Sequence, residues 1–91
     1  MSSMEKSWCV YILQCADGTY YTGVTNDIVR RIEMHSNGTG AKYTRGRGPV
    51  KLCYMETVKS QGEALRREYA IKKLKRADKI NLIETYTPED F

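Results

Sequence analysis

The chain has no apolar run approaching the roughly 18 to 20 residues that a membrane-spanning helix requires. Its opening Met1-Ser2-Ser3-Met4-Glu5-Lys6 lacks the apolar centre of a secretory leader. The two absences lead to the expectation of a cytoplasmic protein with no membrane partner. Cysteine is scarce too: Cys9, Cys15 and Cys53 form an odd set without a C-x-x-C spacing. That pattern fits neither a disulfide framework nor a zinc site, and buried reduced thiols are the simpler reading. No glycine-rich loop runs into a Lys-Ser or Lys-Thr pair, so a nucleotide-binding P-loop is unsupported. With His35 the only histidine, no Ser, His and Asp set points to acyl transfer.

Ninety-one residues are read as one domain, because a typical domain runs to about 100 to 150 residues and a shorter chain has no room for two cores. Fifteen basic against eleven acidic side chains give a net charge of +4. Glu84, Glu89 and Asp90 crowd the last eight residues, so the body is more basic than the total. Such a surface attracts polyanions by releasing their counterions, although a modest positive charge is also common on an ordinary solvated face.

Ser7 to Cys15 and Thr19 to Thr25 are rich in β-branched, aromatic and aliphatic residues, and the turn signal Ala16-Asp17-Gly18 separates them. They predict an antiparallel hairpin. Thr25-Asn26-Asp27 supplies side-chain oxygens that cap a helix start. A helix is expected over about Ile28 to His35, with Ile28 and Ile32 on one face and Arg31 and His35 on a neighbouring stripe. Ser36 to Pro49, with four glycines and the bases Lys42, Arg45 and Arg47, reads as a long surface loop. Val50 to Val58 reads as a third strand. Ser60-Gln61-Gly62-Glu63 has the form of a capping box that opens the longest helix. Ala64, Leu65 and Ile71 mark its apolar side, and Glu68 lies on that side with them. After the basic stretch Lys72 to Arg76, a short helix is expected to restart at Asp78 and to carry Ile80, Leu82 and Ile83. The resulting expectation is one α+β domain, its core at about residues 6–83, with an acidic tail over 84–91.

At this point the residues resemble the GIY-YIG nuclease superfamily. Its first signature strand is matched by Cys9-Val10-Tyr11 and its second by Tyr21-Thr22-Gly23, while Arg31, His35 and Glu68 follow in the family's order. The resemblance covers roughly Lys6 to Ile83. It is nearest to small stand-alone bacterial members, and the stretch Tyr-Thr-Gly-Val-Thr-Asn-Asp followed by Arg-Arg is also similar to the catalytic subunit of a eukaryotic structure-specific endonuclease. Cys9 departs from the motif's first glycine and Thr22 from its central isoleucine. The resemblance implies a three-stranded antiparallel sheet with helices packed on it. It also implies metal-dependent hydrolysis of nucleic acid, DNA foremost, in repair or processing.

In that picture Glu68 holds one magnesium or manganese ion, a hard cation that takes one or two carboxylates and keeps several waters. Arg31 clamps a phosphate oxygen, and Tyr11 is the candidate general base, needing a nearby cation or metal to favour its phenolate. Tyr21 and His35 position water or phosphate, Val10 and Gly23 are motif positions, and Gly23 lets the chain or substrate come close. Lys42, Arg45 and Arg47 contact nucleic acid, with Lys72, Lys73, Lys75 and Arg76 extending a phosphate track. Plainer readings stand beside these. The tyrosines read equally as core aromatics, His35 as a structural histidine, Arg31 as paired with Asp27, and Glu68 as paired with Arg31. Two rival functions are a binding module that cuts nothing and an interaction subunit of a larger nuclease, whose partner supplies specificity.

Overall fold

The computed structural model describes residues 7–37 and 50–86. Strand β1 (Trp8–Gln14) turns back into β2 (Tyr20–Thr25), followed by helix α1 (Ile28–Ser36), strand β3 (Lys51–Val58) and helices α2 (Gln61–Lys72) and α3 (Arg76–Glu84). The three strands form one antiparallel sheet in the order β2-β1-β3. This is the α+β class and the sheet that the resemblance implied.

The hairpin follows from its turn. Gly18 takes a φ of +87°, a region that residues with a Cβ rarely adopt. The Gly18 N–H donates to Cys15 O at 2.9 Å, and the Cys15 N–H donates to Thr19 O at 2.8 Å. The Asp17 carboxylate also accepts from the Thr19 N–H and hydroxyl. Antiparallel pairing then sets Tyr11 opposite Gly23 on one side and Met55 on the other. Ile12 pairs with Tyr54 and Leu13 with Leu52, which leaves Cys53 as the extra residue of a bulge in β3.

Because β1 is the central strand, both of its faces are covered, and Cys9, Val10, Tyr11, Ile12 and Leu13 are all buried. Alternation along the strand divides them. Val10 and Ile12 join Tyr54, Ala64 and Ile71 in the main core, with Trp8, Tyr20, Val24, Val58, Leu82, Ile83 and Tyr86 packed around them. Tyr11 points to the opposite face, where α1 delivers His35. One flank of α2 is tied to β3, since Arg67 Nε donates to Glu56 Oε2 at 2.7 Å and to Oε1 at 3.1 Å. The Tyr54 hydroxyl donates to the same carboxylate at 3.2 Å.

Three local expectations need correction. Leu65 is not on the buried side of α2. It is 46% exposed, because Ala64 and Ile71, seven residues apart, centre the face and leave Leu65 about 100° round the helix. The capping box is made in part: Ser60 Oγ accepts from the Glu63 N–H at 3.2 Å, but the Glu63 carboxylate takes the Lys59 N–H at 3.1 Å. Helix α3 begins at Arg76 rather than Asp78. Lys75, which supplies no side-chain cap, is its N-cap, and Asp78 sits in the first turn. The loop bases Lys42, Arg45 and Arg47 lie outside the described residues, as do residues 87–91.

Replacing Ile71 by Ala is expected to cost about 2 to 5 kcal/mol of stability, the usual range for emptying a buried aliphatic site. Leu65→Ala should stay within about 0.5 kcal/mol, as surface changes do. Denaturant unfolding of the two variants checks this, and equal losses would contradict the orientation of α2.

Candidate active site

The sheet face opposite the main core gathers three rings. Tyr11 from β1, Tyr21 from β2 and His35 from α1 have centroids 6.3 Å (Tyr11 to Tyr21), 6.0 Å (Tyr11 to His35) and 5.1 Å (Tyr21 to His35) apart. Tyr11 Oη and His35 Nε2 are in hydrogen-bond contact at 3.0 Å, with the donor set by the histidine tautomer. Both residues are fully buried, whereas Tyr21 is half-buried. His35 rather than Ile28 or Ile32 is the buried residue of α1, and the two isoleucines are only partly covered. The apolar spacing identified the helix but not the residue it buries deepest, since a histidine is buried when its ring nitrogens find partners.

Helix α1 is positioned from its first turn. Thr25 Oγ1 accepts the Asp27 N–H at 3.0 Å, and Asp27 caps the helix by accepting the Arg30 N–H at 3.4 Å. This entry brings Arg31 to the same site. Its Nη1 makes a long contact of 4.0 Å to Met34 Sδ, a weak acceptor, and its buried Nε has no hydrogen-bond partner among the described residues. A buried donor left unpaired costs about 1 to 3 kcal/mol, more when it belongs to a charged group. Arg31 thus keeps one buried donor, its Nε, without an acceptor among the described residues, while its guanidinium hydrogen-bonds Tyr11.

Gly23 has a steric reason to be glycine. A Cβ there would stand 2.6 Å from Tyr11 Oη, 2.8 Å from its Cζ and 3.0 Å from Tyr21 Cε2. The close approach expected at Gly23 is thus made by the Tyr11 ring itself. Val10, the other motif position, is fully buried on the core face and shapes the strand rather than the site.

The electrostatics keep the pair neutral. Burial pushes the Tyr11 phenol above its ordinary range; a hydrogen bond from Arg31 and the Arg31 charge pull it down, while Tyr21 and, least, Cys9 add to the rise. Burial also holds His35 below its ordinary value, and the Arg31 charge lowers it further. A free Tyr11 phenolate is consequently disfavoured in this site as it stands, which bears directly on its expected role as a base.

Glu68 sits on α2, the helix that packs on the other face of the sheet. Its side chain is 19% exposed, and Lys72 Nζ lies 2.9 Å from Oε2. The ion pair is thus with Lys72, one turn along, rather than with Arg31. Among the described residues no three carboxylate, histidine or cysteine side chains come together to hold a metal. A single shielded carboxylate nevertheless suits a magnesium or manganese ion that keeps most of its waters and shares the rest of its shell with a phosphate. Among the described residues no helix is long and apolar enough to cross a membrane.

A three-stranded α+β domain with two strand tyrosines, a helix arginine and a histidine clustered on one sheet face defines a recognisable class. Residues 7–81 match the family model described as the GIY-YIG catalytic domain, and the chain belongs to the GIY-YIG family, a nuclease superfamily. It is similar to a UPF0213 protein of Clostridium perfringens, 58% identical over 76 residues that span 84% of this chain and 82% of that one. A UPF0213 protein of Halobacterium salinarum is 59% identical over 70 residues, covering 77% and 91% of the two chains. The solution structure of a UPF0213 protein from Bacillus halodurans superimposes with a TM-score of 0.57 at 49% identity, over 87% of this chain and 84% of that one. A solution structure of an E. faecalis protein gives 0.60 at 38% identity, over 97% and 100%. The UPF0213 names state no activity.

Gly23→Ala is expected to lower stability by about 1 to 3 kcal/mol, the range for overpacking a filled interior. Adding Tyr11→Phe removes the nearest atom and should return part of that loss. Thermal unfolding of the two single variants and the double variant measures the coupling. Simple additivity would show that the Tyr11 hydroxyl is not what fills the space above Gly23.

Proposed function

We propose that the protein is a metal-dependent nuclease that hydrolyses a phosphodiester bond in nucleic acid, DNA foremost, in repair or processing. The observation that carries this reading is the Arg31 guanidinium, whose buried Nε lacks a partner beside the Tyr11 and His35 contact. A phosphate oxygen supplies the missing acceptor, and a planar guanidinium binds it with directional, charge-assisted bonds.

The burial of Tyr11 shapes the proton chemistry. A lone phenolate is disfavoured by desolvation, so Tyr11 works with His35. In this reading the phenol O–H donates to His35 Nε2. As the water attacks phosphorus, its proton passes to the Tyr11 oxygen while the Tyr11 proton moves to His35, and the phenolate never has to persist. The new P–O bond forms from the water oxygen, the bond to the leaving oxygen breaks, the leaving oxygen takes its proton from bulk water, and His35 returns its proton through Tyr11 as the product departs.

Arg31 couples binding to this transfer. Its charge is one of the two causes that depress the basicity of His35, and a bound phosphate offsets that charge. His35 thereby becomes a better proton acceptor when substrate is present. Tyr21, the half-buried ring, orients the water or the phosphate from the solvent side.

Glu68 is the proposed metal ligand, and holding an ion would require it to exchange its Lys72 partner. A magnesium or manganese ion held there would supply positive charge and a polarised water. The loop bases Lys42, Arg45 and Arg47 are proposed to hold the nucleic-acid backbone.

The test is cleavage of labelled single-stranded, duplex and branched DNA in magnesium, manganese or EDTA by protein freed of contaminating nuclease. Cutting should require the metal and vanish in Glu68→Ala. Tyr11→Phe should slow turnover by about 10²- to 10⁴-fold, the range for losing a positioned proton-transfer group. Cutting that survives in Glu68→Ala would overturn the metal-ligand role. Binding without cutting under every condition would mark a non-catalytic module instead.

A further inference from the structure

The flank of α2 that follows Glu68 differs from both the buried side of the helix and an ordinary solvated one. Successive residues turn by about 100°, so Glu68, Lys72, Leu65 and Tyr69 follow one another round the helix away from the Ala64 and Ile71 centre. Arg67 lies on the other side of that centre and is fixed to Glu56 of β3. Strands β3 and β2 are the two edges of the sheet. The flank bearing Leu65 and Tyr69 therefore faces away from β3, toward the β2 side.

Two large apolar side chains stand in the open there, Leu65 at 46% and Tyr69 at 65% exposure. Their surroundings are cationic, because Arg66, Lys72, Lys73, Lys75 and Arg76 are all exposed. Lys73 Nζ lies 4.8 Å from the Tyr69 ring centroid and 3.5 Å from its hydroxyl, a contact that is weak at an exposed site and readily exchanged. The two carboxylates of α2 are held locally, Glu63 on the Lys59 amide and Glu68 on Lys72, and the cations outnumber them. Past the end of α2 the positive surface continues into a cleft of about 200 Å³ lined by Thr19, Tyr20, Arg76 and Lys79, where Arg76 lies over the Tyr20 ring.

We propose that this flank is a stacking platform for an unpaired nucleotide of the substrate. The Tyr69 ring receives the base, Leu65 extends the apolar floor, and the cations from Lys72 to Arg76 follow the phosphates. A projecting aromatic ring set among lysines and arginines suits a nucleic-acid strand, because every base offers a face to stack on and every phosphate a charge. A blunt duplex keeps its bases stacked within, so the ring reaches only an unpaired one. The inference rests on the nuclease reading, since Tyr69 is the chain neighbour of the proposed metal ligand Glu68. It adds a preference for single-stranded segments, flaps or junctions over continuous duplex.

Binding is measured without cutting, in EDTA and in a Glu68→Gln background, by fluorescence anisotropy with a labelled oligothymidylate and a blunt duplex of equal length. Tyr69→Ala should weaken oligothymidylate binding by about 5- to 100-fold and duplex binding far less. Tyr69→Phe and Tyr69→Trp should retain affinity for both. Val29→Ala, an equally exposed apolar position on α1, should leave binding unchanged, and an unaltered melting temperature shows that Tyr69→Ala folds. Equal loss on both probes, or no loss on either, overturns the platform while leaving the nuclease reading in place. If the Glu68→Gln parent binds neither probe, the nuclease reading falls and the platform with it.

Discussion

The contact between Tyr11 Oη and His35 Nε2 is the constraint on which the rest of the site depends. It joins the central strand to α1 in a region where neither partner touches solvent. A buried polar pair of this kind is tolerated only when its members satisfy one another, since an unpaired phenol or imidazole carries the full desolvation cost. The pairing accounts for several choices around it. Gly23 is small because the Tyr11 ring lies over it, and α1 must enter at the angle that Thr25 and Asp27 impose. Tyr21 then closes the cluster from the neighbouring strand.

Arg31 contrasts with this self-satisfied pair. It brings a permanent charge to a place where its Nε finds no acceptor, and the charge in turn lowers the basicity of His35. A protein selected for stability alone would gain by pairing or removing that group. Under the proposed nuclease reading, a phosphate oxygen is the acceptor that this donor would take. The fold gathers Tyr11, Tyr21, Arg31 and His35 on one face of the sheet and places Glu68 on the helix that packs on the other.

Much of the architecture was legible because it is locally encoded. Asp17 and Gly18 determine the hairpin, Asp27 and Ser60 start helices, and the strand-rich segments pair as their composition suggests. The family's residue order brought Tyr11, Tyr21, Arg31 and His35 to attention, and the fold gathers these four. What local pattern could not supply was the rotation of α2. That is decided by the bond between Arg67 and Glu56, 11 residues apart, and by the packing of Ala64 and Ile71 against Val10 and Ile12 of the first strand, contacts that the spacing within one helix does not encode. Apolar spacing alone therefore puts Leu65 on the buried side, whereas the packing turns it and Tyr69 outward. The burial of His35 was hidden likewise, because an imidazole is buried by its partners and not by its hydropathy. The Lys72 partner of Glu68, by contrast, lies one turn along the same helix and was readable from i,i+4 spacing.

His35 is the only histidine, so a ¹⁵N spectrum of histidine-labelled protein reports on this site alone. The account predicts a neutral ring with the proton on Nδ1 and an unprotonated Nε2 accepting from Tyr11. Because burial and Arg31 both disfavour the cation, that form should persist as the pH falls below about 6.5, the ordinary histidine value. A proton on Nε2 at neutral pH, or a ring that titrates at or above the ordinary value, would contradict it.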